Sequence, residues 1–165
     1  MHALVVVSGP VASGKSTLAV PLAGRLGLPL VAKDTIKEAL FDSVGTGDED
    51  WSKQLGAATY AVLWALIPNF PQVVVESNFG TADVARLRAL CDRPVQVHCT
   101  APTDVLVRRF EARVRHAGHV DAEYPRDRQD QAAPLDLGGP VLTVDTTAAV
   151  DLDAVVAWAR ARIGA

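Results

Sequence analysis

Residues 9–16 read Gly-Pro-Val-Ala-Ser-Gly-Lys-Ser, two glycines framing a short turn that runs directly into a lysine and a hydroxyl. This is the G-x-x-x-x-G-K-[ST] pattern, in which backbone N–H groups and a helix N-terminus converge on phosphate oxygens. Ser13, Gly14, Lys15 and Ser16 would present their N–H groups, and Gly9 and Ala12 would complete the lining. Lys15 would reach the β- and γ-oxygens of a nucleoside triphosphate, and the Ser16 hydroxyl would join the coordination shell of Mg²⁺. Thr17, one step into the helix, is placed for the α-phosphate.

Two acidic positions could serve a transfer reaction. Asp34, in Lys33-Asp34-Thr35-Ile36-Lys37 after a short apolar run, could take the proton of an attacking hydroxyl; it could equally cap the helix that follows. Lys37 shares its helix face and could hold an acceptor or the migrating phosphate. Glu76 ends Val73-Val74-Val75, where a carboxylate could bind a magnesium-bound water or orient the acceptor. Burying it without a partner would be costly, which favours a functional role. Asn78, two residues on, could hydrogen-bond substrate or merely form a turn.

Cations concentrate at Arg108-Arg109-Phe110-Glu111-Ala112-Arg113-Val114-Arg115-His116. Arg109 and Arg113 share a helix face at four-residue spacing, and Arg113 leads as the group that would neutralise charge at the β–γ bridge. The bland alternative is compensation of the helix dipole. His116 and His119 have no third ligand at zinc spacing. Thr146, in Val144-Asp145-Thr146-Thr147, is placed to flank a nucleotide base or to make a turn before the last helix. Trp51, Tyr60 and Trp64 fall at helical spacing and read as core, with Trp51 the one that could face an acceptor pocket.

The elements that must position these groups alternate. Apolar runs at 3–8, 29–32, 72–77, 95–100 and 141–145 read as strands, with helical patterns at 15–26, 34–42, 49–67, 81–91, 102–116 and 149–163. This order predicts an α/β architecture with a mostly parallel sheet covered on both faces. Val73-Val74-Val75 and Val141-Leu142-Thr143-Val144 read as strands buried on both sides. The polar stretch 118–136 is the one candidate for a mobile element, so a single domain over 1–165 with a lid at about 114–134 fits best.

Composition narrows the functions. A net charge of −3 with mixed signs lacks the basic footprint of an extended nucleic-acid binder. No apolar run approaches the roughly 18 residues of a membrane span. The chain starts on a core-strand pattern without a basic leader, and the cytoplasm is the expected compartment. Cys91 and Cys99 fit no disulfide or metal pattern and read as inert buried thiols. A guanine-reading N-K-x-D motif is absent, and an assembly ATPase needs more chain for its partner surfaces.

The order of Gly9–Leu18, then Lys33-Asp34-Thr35-Ile36-Lys37-Glu38-Ala39-Leu40, then Val73-Val74-Val75-Glu76-Ser77-Asn78-Phe79 resembles the small phosphate-loop kinases. More narrowly it resembles predicted kinases grouped as AAA-type ATP-binding domains, relatives of polynucleotide 5′-hydroxyl kinase, chloramphenicol phosphotransferase and zeta toxin. The resemblance spans nearly the whole chain. It implies a P-loop NTPase fold with a five-stranded parallel sheet, ATP with Mg²⁺, and γ-phosphate transfer to the hydroxyl of a small molecule such as a nucleoside, sugar or antibiotic. It also implies Asp34 as base, Lys37 as the acceptor-side cation and Arg113 as the lid arginine. The chain carries Lys at that acceptor-side position where the group often has Arg, and Glu76 where it often has Asp. Phosphorylation of a nucleic-acid 5′-hydroxyl and an acceptor-free ATPase or switch are the alternatives.

Overall fold

The computed structural model describes residues 3–114, 116–119, 124 and 131–163. Five strands, β1 (Ala3–Ser8), β2 (Leu30–Ala32), β3 (Gln72–Glu76), β4 (Val95–Thr100) and β5 (Val141–Asp145), form one sheet in the order β2-β3-β1-β4-β5. Every pairing is parallel. Among the described residues, five α-helices lie between them in sequence, α1 (Lys15–Leu26), α2 (Lys33–Val44), α3 (Glu49–Leu66), α4 (Val84–Leu90) and α5 (Thr103–Ala112), and α6 (Leu152–Arg160) follows the last strand.

The strand period of two splits the core. Val5, Val7, Val74, Val95, Val97 and Cys99 face α1 and α6, against Leu18, Leu22, Val155 and Val156. Leu4, Val6, Val73 and Val75 face the opposite way, against Leu63, Trp64, Ile67 and Leu87 from α3, α4 and the short 3₁₀ turn after α3. Both thiols are buried and unpaired with each other. Desolvation holds Cys99 up to about 11, so it stays a protonated, inert thiol near neutrality.

The helix boundaries follow local chemistry. Asp48 accepts from Trp51 N at 2.9 Å and starts α3, with Glu49 and Asp50 in the acidic first turn. Asp151 accepts from Ala154 N at 3.0 Å, so α6 begins at Leu152 rather than at 149. Past α3, Pro68 lies in the 3₁₀ turn Ile67–Asn69 and ends the regular helix.

Two expectations are corrected. β5 is an edge strand, not one buried on both faces: among the described residues β4 is its sole neighbour, Val141 is 41% exposed, and Val144 alone is buried. Its apolar run reads like a central strand because sequence does not report sheet order. And α5 stops at Ala112, with Arg113 already extended, instead of continuing to 116. A longer helix would gain nothing: Val114 is wholly exposed, and helix propensity without a buried face is weak support. Of the expected lid, residues 115, 120–123 and 125–130 lie outside the described residues.

β4 carries a further feature. Its alternate residues Gln96 and His98 are buried although polar. His98 Nδ1 lies 3.1 Å from Ser8 Oγ, and His98 Nε2 lies 3.3 Å from the Ala132 carbonyl. With its amide in the orientation that satisfies both ends, Gln96 binds the Leu135 main chain at 2.8 and 3.0 Å and accepts from Ser8 Oγ at 2.8 Å. This polar row pins the chain at 132–135 under the end of β1.

Register aligns the site. Val7 pairs with Glu76, and Glu76 with Ala32, so three strand ends lie in one row. Two residues beyond that row lie Gly9, Asn78 and Asp34. Gly9 sits at φ +137°, and a Cβ there would come 2.1 Å from the Cys99 carbonyl oxygen. Gly9→Ala is therefore expected to destabilise the fold by about 2–4 kcal/mol, combining backbone strain with overpacking. Chemical denaturation checks this; an unchanged midpoint would mean that the loop is free to shift.

Candidate active site

The strand ends and the loops beyond them enclose a cleft of about 760 Å³. One end is lined by Val11, Ala12, Gly14, Lys15, Ser16 and Thr17, with Leu18, Pro21, Ala149 and Leu152 forming an apolar wall. The other end is lined by Lys33, Asp34, Lys37, Glu76, Ser77, Asn78 and His119. Arg109, Arg113 and Thr146 border it as well.

The loop between β1 and α1 is built for convergent N–H groups. Gly9, Ala12 and Gly14 all have positive φ, at 137°, 64° and 81°. For Ala12 that conformation is uncommon, a local strain of the kind found at ligand-gripping turns. Lys15 is buried and donates from Nζ to the Pro10 carbonyl at 2.7 Å, folding its ammonium over the loop. Burial pushes its pKa down, while Glu76 and Asp34 pull the other way. Ser13 is fully buried; its carbonyl accepts from Thr146 Oγ1 at 3.0 Å.

Glu76 ends β3 with its carboxylate buried, and Ser16 Oγ donates to its Oε2 at 3.4 Å. Burial raises its pKa; the Lys15 charge opposes this, and Asp34 adds to it. Asp34 lies in the first turn of α2 and does not cap it: the residue preceding the helix is Ala32, and no side chain caps that end. The Asp34 side chain is 47% exposed and accepts from Lys33 Nζ at 2.9 Å. Burial alone would raise its pKa, but Lys33 foremost, together with His119 and Lys15, outweighs that and holds the carboxyl below its ordinary value. Lys37 donates to Ser52 Oγ at 3.1 Å and lies 5.3 Å over the Phe41 ring.

Asn78 lies two residues after Glu76, and its side-chain oxygen accepts from Ser77 Oγ at 3.4 Å. Its carbonyl accepts from Gln131 Nε2 at 3.0 Å. Arg109 donates from both terminal nitrogens to Thr146, to its hydroxyl at 2.9 Å and to its carbonyl. One threonine thus joins α5, the end of β5 and the phosphate-loop sequence. Arg113 has left the helix, lies 4.8 Å over the Phe110 ring and still borders the cleft.

The structure brings Lys15, Ser16, Thr17, Asp34, Lys37, Glu76, Asn78, Arg109, Arg113 and Thr146 to one cleft. It does not bring Trp51 there. The Trp51 indole donates to the Gly45 carbonyl at 3.0 Å and lies beside a separate hollow formed by Val44, Thr46, Gly47 and Asp48. Sequence reasoning missed Lys33, Ser77 and His119. The first two carried a usable signal, since each is adjacent to a residue already singled out. His119 comes from a turn distant in sequence.

A parallel 2-3-1-4-5 sheet with this loop at the tip of its central strand defines a P-loop nucleotide-binding domain. Consistent with that class, a family model for the AAA domain matches residues 4–134, and the chain belongs to this family. ATP binding is implied by that membership. A "putative kinase" from Chloroflexus aurantiacus is 38% identical over 97% of both chains, with a TM-score of 0.86. The fold is also shared by a gluconokinase from Sinorhizobium meliloti, 20% identical over 98% of this chain and 91% of that one, TM-score 0.61. So it is by a shikimate kinase from Bacteroides thetaiotaomicron, 15% identical over 96% and 97%, TM-score 0.65. Comparison with curated proteins gave no match. No helix among the described residues is long and apolar enough to cross a membrane.

Proposed function

We propose that the protein is an ATP-dependent kinase that transfers the γ-phosphate to a hydroxyl of a small molecule. The observation that carries this reading is the convergence of Lys15, Glu76 and Asp34 in one cleft, with Asp34 free of any capping duty. The small-molecule kinases among the structural neighbours support the same class of acceptor.

On this reading the loop N–H groups and Lys15 hold the phosphates, and the apolar wall of Leu18, Pro21, Ala149 and Leu152 takes the base. Ser16 and Glu76 fit Mg²⁺, which prefers hard oxygen donors and needs only one or two from the protein. The ion would supply neutralisation of phosphate charge. Asp34 orients the acceptor hydroxyl and takes its proton as the oxygen bonds to the γ-phosphorus. The bond from phosphorus to the β–γ bridging oxygen breaks, and ADP leaves. Arg113, from the border of the cleft, neutralises the charge that develops on that bridge. Lys37 and Asn78 hold the acceptor.

The direct test incubates the protein and Mg·ATP with a metabolite pool and searches for products heavier by one phosphoryl group. Appearance of one such alcohol phosphate supports the reading. Absence of any Mg·ATP uptake by calorimetry would overturn it.

A pH dependence follows. Because burial lifts Glu76, it protonates before an exposed glutamate does as pH falls. ATP-dependent turnover is expected to decline on the acid side above the ordinary glutamate value of about 4.3. Asp34, held low, does not produce that limb. A kcat/KM profile checks this, and Glu76→Gln should remove the inflection together with most of the activity.

A further inference from the structure

The two histidines unexplained by the sequence come together in one turn. His119 N donates to the His116 carbonyl at 3.0 Å, closing 116–119. That turn is docked on the helices of the acceptor end. His116 Nε2 lies 3.0 Å from Asp42 Oδ1, and His119 Nε2 lies 3.1 Å from Glu38 Oε1. Glu38 and Asp42 are one helical turn apart on α2, so both imidazoles grip the same face. Phe41 fills the space between: its ring stacks on His116 at 5.6 Å and meets His119 edge-on at 5.9 Å. Gly118 is pressed against Phe41, where a Cβ would come 2.3 Å from the ring. From α3, Ser52 Oγ donates to the Gly118 carbonyl at 3.3 Å while accepting from Lys37.

The hydrogen bonds also set a tautomer. Gly118 N donates to His116 Nδ1 at 3.1 Å, so that nitrogen carries no proton and Nε2–H donates to Asp42. The docking thus holds with a neutral His116. Of the two rings, His119 is the one that lines the cleft, 10% exposed and sharing it with Asp34 and Lys37.

The geometry points to the docked turn 116–119 as the acceptor-side wall of the cleft, with His119 the positioning residue that holds the acceptor hydroxyl against Asp34 and keeps water out. The inference rests on the kinase reading of the cleft. Its logic is that phosphoryl transfer needs a water-poor site, and His119, held by Glu38, lines the same cleft as Asp34. Glu38 fixes the ring and Asp42 fixes the turn.

The experiment uses the full chain, Mg·ATP and water as the default acceptor. Calorimetry gives ATP affinity, and phosphate release gives uncoupled hydrolysis, for His119→Ala, His119→Asn, Glu38→Gln and the His119→Ala/Glu38→Gln double variant. Expected for His119→Ala is a rise in hydrolysis of about fivefold or more with ATP affinity within twofold, since only the water-excluding wall is lost. His119→Asn, which can still reach Glu38, should restore part of the suppression. The double variant should exceed His119→Ala by little, because both residues serve one contact. Unchanged hydrolysis in His119→Ala, or fully additive effects, would overturn the inference. Imidazole ¹⁵N spectra of the ATP-free protein separate the two readings. A His116 protonated on Nε2 together with no ATP uptake would sink the kinase reading and this role with it, leaving only the docked turn. A His116 protonated on Nδ1 would overturn the docking itself.

Discussion

Asp34→Asn is expected to lower phosphoryl transfer by about 10²–10⁴-fold, the usual worth of a positioned proton acceptor. ATP affinity should stay within a few-fold. The separation is sharp because asparagine keeps the size of the side chain and removes only its ability to take a proton. It also costs the fold little. Asp34 does not cap α2, its carboxylate is 47% exposed, and asparagine can still accept a hydrogen bond from the more deeply set Lys33 ammonium. A carboxyl held low by Lys33 is a weak base, which suits a loose transition state in which the nucleophile loses its proton late. Rapid-quench assays with the acceptor from the mass-shift screen would measure the loss. Near-wild-type turnover would remove Asp34 from the chemistry and leave its placement unexplained.

How much of this was legible in the sequence depended on whether the determining forces were local. The phosphate loop was, because glycines, lysine and serine act through backbone geometry that a short segment fixes alone. Strand positions were also legible: the β1 run at 3–8 and the α1 pattern at 15–26 match the observed elements. Sheet order was not, and the edge position of β5 went unseen for that reason. The end of α5 was misjudged because its arginines favour a helix while nothing packs on Val114. Trp51 shows the opposite limit, since helical spacing cannot say that its indole turns to the Gly45 carbonyl. His119 needed tertiary contact altogether: its partner Glu38 lies on another element, and no motif links them.

Lys15→Met should abolish measurable ATP binding at ordinary concentrations and lower kcat/KM by on the order of 10³-fold, since a fixed cation in a dry site stabilises far more charge than one in water. The fold should survive, because methionine fills the same narrow space and the loop's own N–H groups do not depend on the ammonium. The informative readout is stability against pH. In the wild type the buried Glu76 carboxylate faces Lys15, which opposes the rise that burial imposes on its pKa. Without that cation the Glu76 pKa must climb further. A carboxyl whose folded-state pKa lies above its unfolded value contributes stability that is complete at low pH and is lost as pH rises through the folded value. Lys15→Met, relieved of a buried ammonium that burial disfavours, is therefore expected to melt at or above wild type in acid and to lose ground against it progressively as pH rises through the elevated Glu76 pKa. Adding Glu76→Gln should flatten that dependence. A variant that still bound ATP would show that Lys15 holds only the Pro10 carbonyl, and a pH-independent difference would show that Lys15 and Glu76 do not share a field.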